Sequence, residues 1–497
     1  MSVKKQNKKN WVRFFNLDKW FLGFLYVLPL VLFFSYFPVI SFGKSESMYF
    51  EISLPMIWLV LFDVLTFVML VRRKKLLCDL KKWWMWLLFP VWILVSVVWS
   101  LNIVRGILTV GILWLVIFAV YGVWKFRELF DDRVRVNFLK WFFISSLVVC
   151  GWCILQCVLD LINVPRDYSL LCQGCTYQMF GFPHPNGFAV EPQFMGNLLL
   201  APVIVSAYLF IKGQKSEDLK YKCLSPRFLL FCFLITSMTL FLTFSRGAIY
   251  ALVIAMIFMS VMLVIKEKKR GAEIGKKIGV VWVMMVLAFG LTLNVQGVMA
   301  KVSGTNDTYK MGVTKVLNHL SLGIIDLRSD KSEKVVEKPV EKSVEKPVDN
   351  SVENNAVFDG YVAESTDIRM NLNKIGLEAW KKDLKTIVIG VGIGGAGQAL
   401  YNDGLMPTAR EIVQNEYVSI LLETGVIGAI LLILMVILTI KLVMKNKEVA
   451  PMILPLMVGY GVSLLFFSGF ANALHIYLIP VVFLAMNYKV KRKKLVS

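Results

Sequence analysis

Charged residues are scarce in this chain of 497 residues, since they make up 18% of it, whereas about 25% is usual in soluble globular proteins. Hydrophobic residues make up 57%, and the mean hydropathy is +0.64. This balance excludes an ordinary soluble enzyme. Strict alternation of apolar and polar residues is also lacking, because runs such as Phe228 to Phe244 are apolar all round, which excludes a transmembrane β-barrel. The sequence therefore predicts an all-α polytopic membrane protein.

Apolar runs near the length of a membrane-crossing helix recur along the chain. A helix needs about 20 residues to cross ~30 Å of hydrocarbon, and about 12 runs of this kind occur. The predicted transmembrane helices cover residues 20–40, 52–71, 83–99, 103–124, 138–159, 188–210, 228–244, 248–265, 278–295, 417–440, 452–468 and 474–488.

The net charge of +21 has to be judged by where the basic residues lie. Most Lys and Arg precede the first predicted span, follow every second span or follow the last. The short loops on the other side hold only Lys44, Arg105, Arg166 and Arg246. By the positive-inside rule, both termini are predicted in the cytoplasm, and no nucleic-acid partner is expected. The first run lacks a small-x-small cleavage site, so we expect a signal anchor in the cytoplasmic (inner) membrane.

This topology divides the chain into three parts. Residues 1–295 hold transmembrane helices 1 to 9, residues 296–411 form a long extracytoplasmic loop, and residues 412–497 hold helices 10 to 12 and a basic cytoplasmic tail. A loop of that length without a role is uncommon.

Two segments of the long loop have distinct compositions. Residues 331–354 contain a charged four-residue repeat interrupted by Pro339 and Pro347, which is typical of a low-complexity tether. Residues 367–385 carry apolar side chains at helical spacing. They are predicted to form an amphipathic helix on the outer membrane surface.

Histidine is rare, and all three histidines, His184, His319 and His475, are predicted on the outer side. Cys172 and Cys175 form a CxxC motif in the same compartment, where a disulfide can persist. A zinc site would need two more ligands, and only His184 is near, so a local disulfide is favoured over zinc. No metal site is predicted.

Ionisable side chains at membrane borders are the first candidates for function. Arg246 lies between two spans that almost no loop separates, and an arginine there pairs with a carboxylate or an anionic ligand, or else snorkels to the headgroups. Glu191 lies about one turn into its predicted span, and Asp63 lies near the middle of another. Either is a functional candidate or an internal partner for Arg105 or Arg246.

Polar residues also mark the start of the tenth predicted span: Gln414, Asn415, Glu416, Ser419 and Glu423. With Arg369 and Arg410 they place arginines and carboxylates at the outer interface, the chemistry needed to hold a diphosphate and activate a hydroxyl group. The alternative is a structural role, in which these polar residues line a contact between two helices, because Gly425 and Gly428 suit close packing.

A glycine-rich segment precedes that span and contains G-x-G-x-x-G from Gly392 to Gly397. A dinucleotide-binding fold is a poor interpretation, because the motif requires a βαβ unit and a cytoplasmic nucleotide. A tight turn that offers N–H groups to an anion is favoured, which makes Gly392 and Gly394 candidate substrate-binding residues.

The order and sidedness of these motifs resemble the O-antigen ligase/polymerase superfamily. The motifs are Ser245-Arg246-Gly247, the Arg369 helix with the glycine-rich segment after it, the Gln414 to Gly428 segment, and Glu191-Pro-Gln-Phe-Met-Gly196. The resemblance implies a metal-independent membrane glycosyltransferase that uses a polyprenyl-diphosphate-linked glycan on the extracytoplasmic face and needs no cofactor.

The resemblance also implies roles for particular residues. Arg246 and Arg369 match the arginines that grip the donor diphosphate, and Glu416 or Glu191 would orient or deprotonate the acceptor hydroxyl. The remaining candidate substrate-binding residues are Arg410, Gln414, Asn415, Gly392 and Gly394.

Gln414 departs from the pattern, because ligases that attach O-antigen to the lipid A core carry a histidine there, and glutamine cannot act as a base. A polysaccharide polymerase is therefore favoured. The alternatives are an O-antigen ligase acting on the lipid A core or another acceptor, and a polysaccharide flippase or transporter. The expected partners are the lipid-linked donor and acceptor, the bilayer, and candidate flippase and chain-length regulator proteins.

Overall fold

The computed structural model describes residues 16–34, 38–42, 50–74, 80–161, 185–189, 191–213, 224–302, 309–321, 369–406, 408–409, 413–469 and 473–488. Helices dominate these residues. In chain order they are α1 Leu17–Phe33, α2 Leu54–Arg72, α3 Leu80–Ser96, α4 Ile103–Lys125, α5 Asp132–Leu161, α6 Pro192–Lys212, α7 Pro226–Leu242, α8 Arg246–Lys266, α9 Gly271–Val302, α10 Tyr309–Leu320, α11 369–380, α12 Leu384–Ile389, α13 Ala396–Asn402, α14 Glu416–Lys445, α15 Ala450–Ser463 and α16 Leu474–Asn487.

The predicted all-α polytopic membrane architecture is confirmed. Among the described residues, 7 helices are long and apolar enough to cross a membrane: α2, α4, α5, α6, α8, α9 and α14. Shorter apolar helices occur at Trp83–Trp99, Pro226–Leu242, Ala450–Ser463 and Leu474–Asn487. The total of about 12 spans, which rests on the ~20-residue length of a crossing helix, stays a prediction.

Several helices begin after a polar side chain that accepts a hydrogen bond from a backbone N–H of the first turn. These capping residues are Asn102 before α4, Ser225 before α7, Ser245 before α8 and Asn415 before α14. Capping satisfies donors that a helix leaves unpaired at its start, so each side chain fixes the point where its helix begins.

Helix α6 lies at the centre of the bundle, packed by α7, α8 and α15. Of its most apolar stretch, 83% is buried, compared with 11% for α14 at the periphery. Because α6 is surrounded by protein, the residues at its N-terminal end can contact several other helices at once.

The first predicted span is shorter than the apolar run suggested. Residues 20–40 were expected to be helical, but α1 ends at Phe33, and β1, Pro38–Phe42, pairs antiparallel with β2, Phe50–Ser53. The residues of β1 are apolar, so hydropathy alone counted them with the span.

The predicted helix over 367–385 is two helices, α11 at 369–380 and α12 at Leu384–Ile389, separated by a turn. The apolar face of α11 packs on protein, since Ala379 lies in a buried cluster with Val413 and Val418. The tether at 331–354, the Cys172–Cys175 disulfide and Arg410 lie outside the described residues.

Helix α14 is broken within the predicted span 417–440. Gly425 has φ +65°, which is not helical, and a Cβ there would lie 2.3 Å from the carbonyl oxygen of Val388. Only glycine fits such a close backbone approach in this conformation. The segment between α12 and α13, residues 390–395, therefore packs into the break in α14.

Candidate active site

Four parts of the chain converge at the N-terminal end of α6, which the sequence predicts to lie on the outer side. Gly196 of α6 packs on the turn at 243–248, where an added Cβ would lie 2.8 Å from the Cβ of Ala248. In the same way, a Cβ on Gly247 would lie 2.8 Å from the Cβ of Phe466, in the turn at 464–469. The start of α14 joins this group, because the N–H of Glu416 donates to Leu464 O over 2.9 Å. Small residues bring these backbones together and define the candidate site.

Arg246 is the first residue of α8, in the 243–248 turn. The Oγ of Ser245 accepts from the N–H of Ala248 and fixes the start of the helix. The Arg246 side chain is only 6% exposed. A snorkelling arginine would extend to the surface, so this burial favours a role inside the protein.

Arg369 reaches the same place from α11. Its Nη2 donates a hydrogen bond to Oε1 of Gln193, 3.2 Å away, and Nε2 of Gln193 donates to the carbonyl oxygen of Phe466. The amide of Gln193 thus links Arg369 to the 464–469 turn.

Glu191 lies at the start of α6, not one turn into it as predicted. It is the N-cap residue, its side chain makes no capping bond, and it is exposed. Desolvation by the surrounding protein raises the pKa of the Glu191 carboxyl group above its usual value, while the charge of Arg369 opposes that shift. The carboxylate therefore lies beside the arginine and remains open to a ligand.

Glu416 is held differently. Its side chain is 5% exposed, and Oε2 accepts from Ser468 Oγ over 3.1 Å and from the N–H of Gly469 over 2.7 Å. These bonds hold the 464–469 turn against the first turn of α14. The carboxylate is thus close to the other site residues, but it already serves as an acceptor for that turn.

The two residues before Glu416 have separate environments. Oδ1 of Asn415 accepts from the N–H groups of Tyr417 and Val418, so the side chain caps α14. Gln414 is half-buried. The capping bonds explain why an asparagine stands at this position, while the predicted contacts of Gln414 and Asn415 with substrate stay predictions.

The glycine-rich segment 390–397 lies between the turn joining α3 to α4 and the break in α14. The N–H of Gly392 donates to Glu423 O over 2.9 Å, and the N–H of Leu101 donates to Val391 O over 3.3 Å. The N–H of Val391 also donates to Leu422 O over 2.9 Å, so Gly392 and Val391 supply partners for carbonyl groups that the break in α14 releases.

Two glycines of this segment allow backbone to pack on backbone. Gly392 has φ +87°, and a Cβ there would lie 2.3 Å from the Cα of Ser100. Gly394 has φ +75°, and a Cβ there would lie 2.8 Å from the N atom of Gly106. The repeated glycines are thus required by close packing and by left-handed backbone conformations.

The anionic group that accepts hydrogen bonds from this segment is a side chain of the same protein, Glu423. The Glu423 carboxylate accepts from the N–H of Ala396 over 3.3 Å and from the backbone of Gly394, and it lies near Arg105. The turn therefore offers N–H groups to an anion, as predicted, and its partner here is Glu423. Binding of substrate by Gly392 and Gly394 stays a prediction.

Asp63 lies apart from this group. Within the described residues its two carboxylate oxygens have no hydrogen-bond partner, although the side chain is only 5% exposed. It is therefore hydrogen-bonded to neither Arg105 nor Arg246, the two partners considered from the sequence.

The sequence analysis did not single out Gln193 or the 464–469 turn. Gln193 stands two residues after Glu191, and a Ser-Gly pair, Ser468-Gly469, ends the apolar run that includes α15. Both are polar residues at the end of an apolar run, a signal that the sequence contains. Their contacts join residues that are far apart in sequence, so spacing alone could not reveal them.

Comparison with known families bears on this arrangement. A family model described as O-antigen ligase matches residues 231–433. This part of the chain is of the O-antigen ligase type. The resemblance to the O-antigen ligase/polymerase superfamily is thereby confirmed, and no curated protein matches the chain.

The family includes O-antigen ligases and related polymerases, which are glycosyltransferase-like membrane enzymes. The O-antigen ligase match contains Arg246, Arg369 and Glu416. Glu191 and the 464–469 turn lie outside it. The candidate site therefore combines residues of the matched domain with residues from the helices that flank it.

Proposed function

We propose that this protein is a polysaccharide polymerase. It joins polyprenyl-diphosphate-linked oligosaccharide units on the outer face of the cytoplasmic membrane. The observation that supports this proposal is the convergence of Arg246 and Arg369 with Glu191 and Glu416 at the N-terminal end of the central helix α6. Two arginines beside carboxylates suit a reaction that releases a diphosphate and deprotonates a hydroxyl group.

In the proposed reaction, an acceptor hydroxyl oxygen attacks the anomeric carbon of the donor glycan, and the bond from that carbon to the diphosphate oxygen breaks. The polyprenyl diphosphate leaves with the bonding electron pair. Arg246 and Arg369 stabilise the charge that develops on it, because a guanidinium group binds phosphate oxygens through paired N–H donors. The diphosphate ester supplies the driving force.

The hydroxyl proton passes to a carboxylate. Glu191 suits this role, because it is exposed beside Arg369 and is not used as a helix cap. Glu416 suits the alternative role of positioning, since Ser468 and Gly469 already donate to its Oε2. We therefore assign proton acceptance to Glu191 and support of the 464–469 turn to Glu416.

The choice of polymerase over ligase rests on Gln414, whose amide cannot take up a proton near neutral pH.

The test uses purified protein in lipid with a polyprenyl-diphosphate oligosaccharide from its own organism. Longer glycans and released polyprenyl diphosphate are expected. Transfer to lipid A core without chain extension would support the ligase alternative, and movement of donor across a vesicle membrane without new bonds would support the transporter.

A further inference from the structure

Helix α10 is the first folded element of the long outer loop within the described residues, and it is fixed at both ends. At its start, the Tyr309 ring packs on α9, where a Cβ on Gly297 would lie 2.3 Å from Cε2 of Tyr309. Tyr309 Oη also donates to Asn294 Oδ1 over 2.7 Å. The helix is therefore a fixed part of the bundle.

The other end of α10 contacts the turn that carries Arg246. His319 Nε2 lies 3.2 Å from the carbonyl oxygen of Phe244, and Tyr250 Oη donates to Leu320 O over 2.6 Å. A carbonyl oxygen only accepts, so Nε2 of His319 carries the proton in this bond. The two bonds hold the last turn of α10 against the residues on either side of Arg246.

The backbone at Phe244 needs such support. Phe244 has φ +48°, a left-handed conformation that is unfavourable for a residue with a side chain. The next residues are Ser245, which caps α8, and Arg246. A change in the Phe244 conformation would therefore move the start of α8 and the arginine together.

We propose that His319 is a positioning residue for Arg246. Its Nε2–H holds the Phe244 carbonyl, and this bond keeps the 243–248 turn in the conformation that directs the arginine into the site. The proposal rests on the proposed function in so far as Arg246 binds a diphosphate. A loss of positioning should appear first in the affinity for a prenyl diphosphate, since small displacements of a binding group weaken its hydrogen bonds.

Three substitutions separate the hydrogen bond from the volume of the ring. His319→Phe keeps a ring and removes the donor, whereas His319→Gln keeps an N–H donor at nearly the same distance from the backbone. His475→Phe is the matched control. It changes another buried histidine, whose ring nitrogens have no hydrogen-bond partner within the described residues.

The first measurement is the binding of farnesyl diphosphate to folded, detergent-solubilised protein. In His319→Phe we expect the affinity to fall about tenfold or more, as if Arg246 had lost one hydrogen bond to the charged diphosphate. In His319→Gln and His475→Phe it should stay within about threefold of the wild type. Equal affinity of His319→Phe and the wild type, or an equal loss in His319→Gln, would overturn the proposal.

The second measurement does not depend on the reaction. Hydrogen exchange of residues 243–249 should be faster in His319→Phe only, because the N–H groups of Ala248 and Ile249 bond to Ser245 in this turn. Unchanged exchange would show that His319 does not hold the turn. If the wild type neither bound farnesyl diphosphate nor extended its donor, the proposed function would fail, and the exchange comparison would still decide whether His319 supports the turn.

Discussion

Arg369 and Gln193 are 176 residues apart in the chain and meet in a hydrogen bond of 3.2 Å from Nη2 to Oε1. Because Nε2 of Gln193 donates to Phe466 O, the amide cannot rotate without losing that second bond. The guanidinium plane of Arg369 is therefore oriented by a side chain that is itself fixed. Such preorganisation matters where a binding group must meet a charge that develops during reaction.

The arginines should not tolerate lysine. Arg246→Lys and Arg369→Lys each keep the positive charge but lose the planar fork that binds two phosphate oxygens. We expect each to slow chain extension about 100-fold, the effect of removing a preorganised donor. The measurement is the rate of glycan extension by purified protein at equal folded concentration.

Arg270→Lys is the control for these variants, because Arg270 makes a paired contact with Glu273 on the exposed surface away from the site, where its loss should leave chain extension unchanged. Full extension by both site variants would contradict the diphosphate clamp.

Gln193→Met should raise the KM for the donor more than it lowers kcat. Methionine has a similar length but makes neither the bond to Arg369 nor the bond to Phe466 O, so the arginine would lose its orientation while its charge remains. We expect the KM to rise about tenfold, equivalent to one good hydrogen bond to a charged group.

Gln296→Met is the matched control for Gln193→Met. Gln296 is fully buried in α9, and its amide has no partner among the described residues. If both substitutions gave the same kinetics, the link between Arg369 and Phe466 would have no specific role.

Gly392→Ala should destabilise the protein. The new Cβ would lie 2.3 Å from the Cα of Ser100, and the residue would keep φ +87°, so strain and overpacking together should cost about 2–5 kcal/mol. Thermal unfolding in detergent would measure the loss. Gly111→Ala in α4 is the control, since nothing lies within 4 Å of its Cβ position and alanine is the better helix former. An unchanged unfolding temperature for Gly392→Ala would show that the segment is not packed as described.

The predicted orientation can be tested in cells. A reporter that is active only in the cytoplasm should give no signal when it is fused after Asn354, in the long loop, because the distribution of Lys and Arg predicts that this loop lies outside. The same reporter after Lys447, between α14 and α15, should give a strong signal. The reverse result would invert the topology and remove the basis for the outward-facing site.

The sequence was sufficient for the fold class and for many helix starts, because hydropathy and capping are local properties. Asn102 and Ser245 each precede an apolar run and cap the helix that follows. The end of α1 was misplaced, because Pro38–Phe42 is apolar whether it forms a helix or a strand. The break at Gly425 was missed for a similar reason, since hydropathy does not reveal backbone conformation.

The site was harder to predict from the sequence than the fold was. Arg246, Arg369, Glu191 and Glu416 are visible as ionisable residues at membrane borders, so their residue types indicated the chemistry. Gln193 became important only through its contacts with Arg369 and Phe466, which depend on how distant segments pack. Glu423 was grouped with the candidate substrate-binding polar face, but packing directs its carboxylate to Ala396.

The insertion of segment 390–397 into α14 has a mechanical consequence. Ser100 Oγ donates to Ile393 O over 2.8 Å, and Trp92 Nε1 donates to Thr424 O over 3.0 Å, so side chains of α3 and of the turn after it hold the backbone of the inserted segment and of α14 beside its break. None of the three can slide or rotate alone without breaking these hydrogen bonds. These hydrogen bonds favour movement of the three together, so an opening for the proposed glycan substrate is expected at the boundary between this unit and its neighbours.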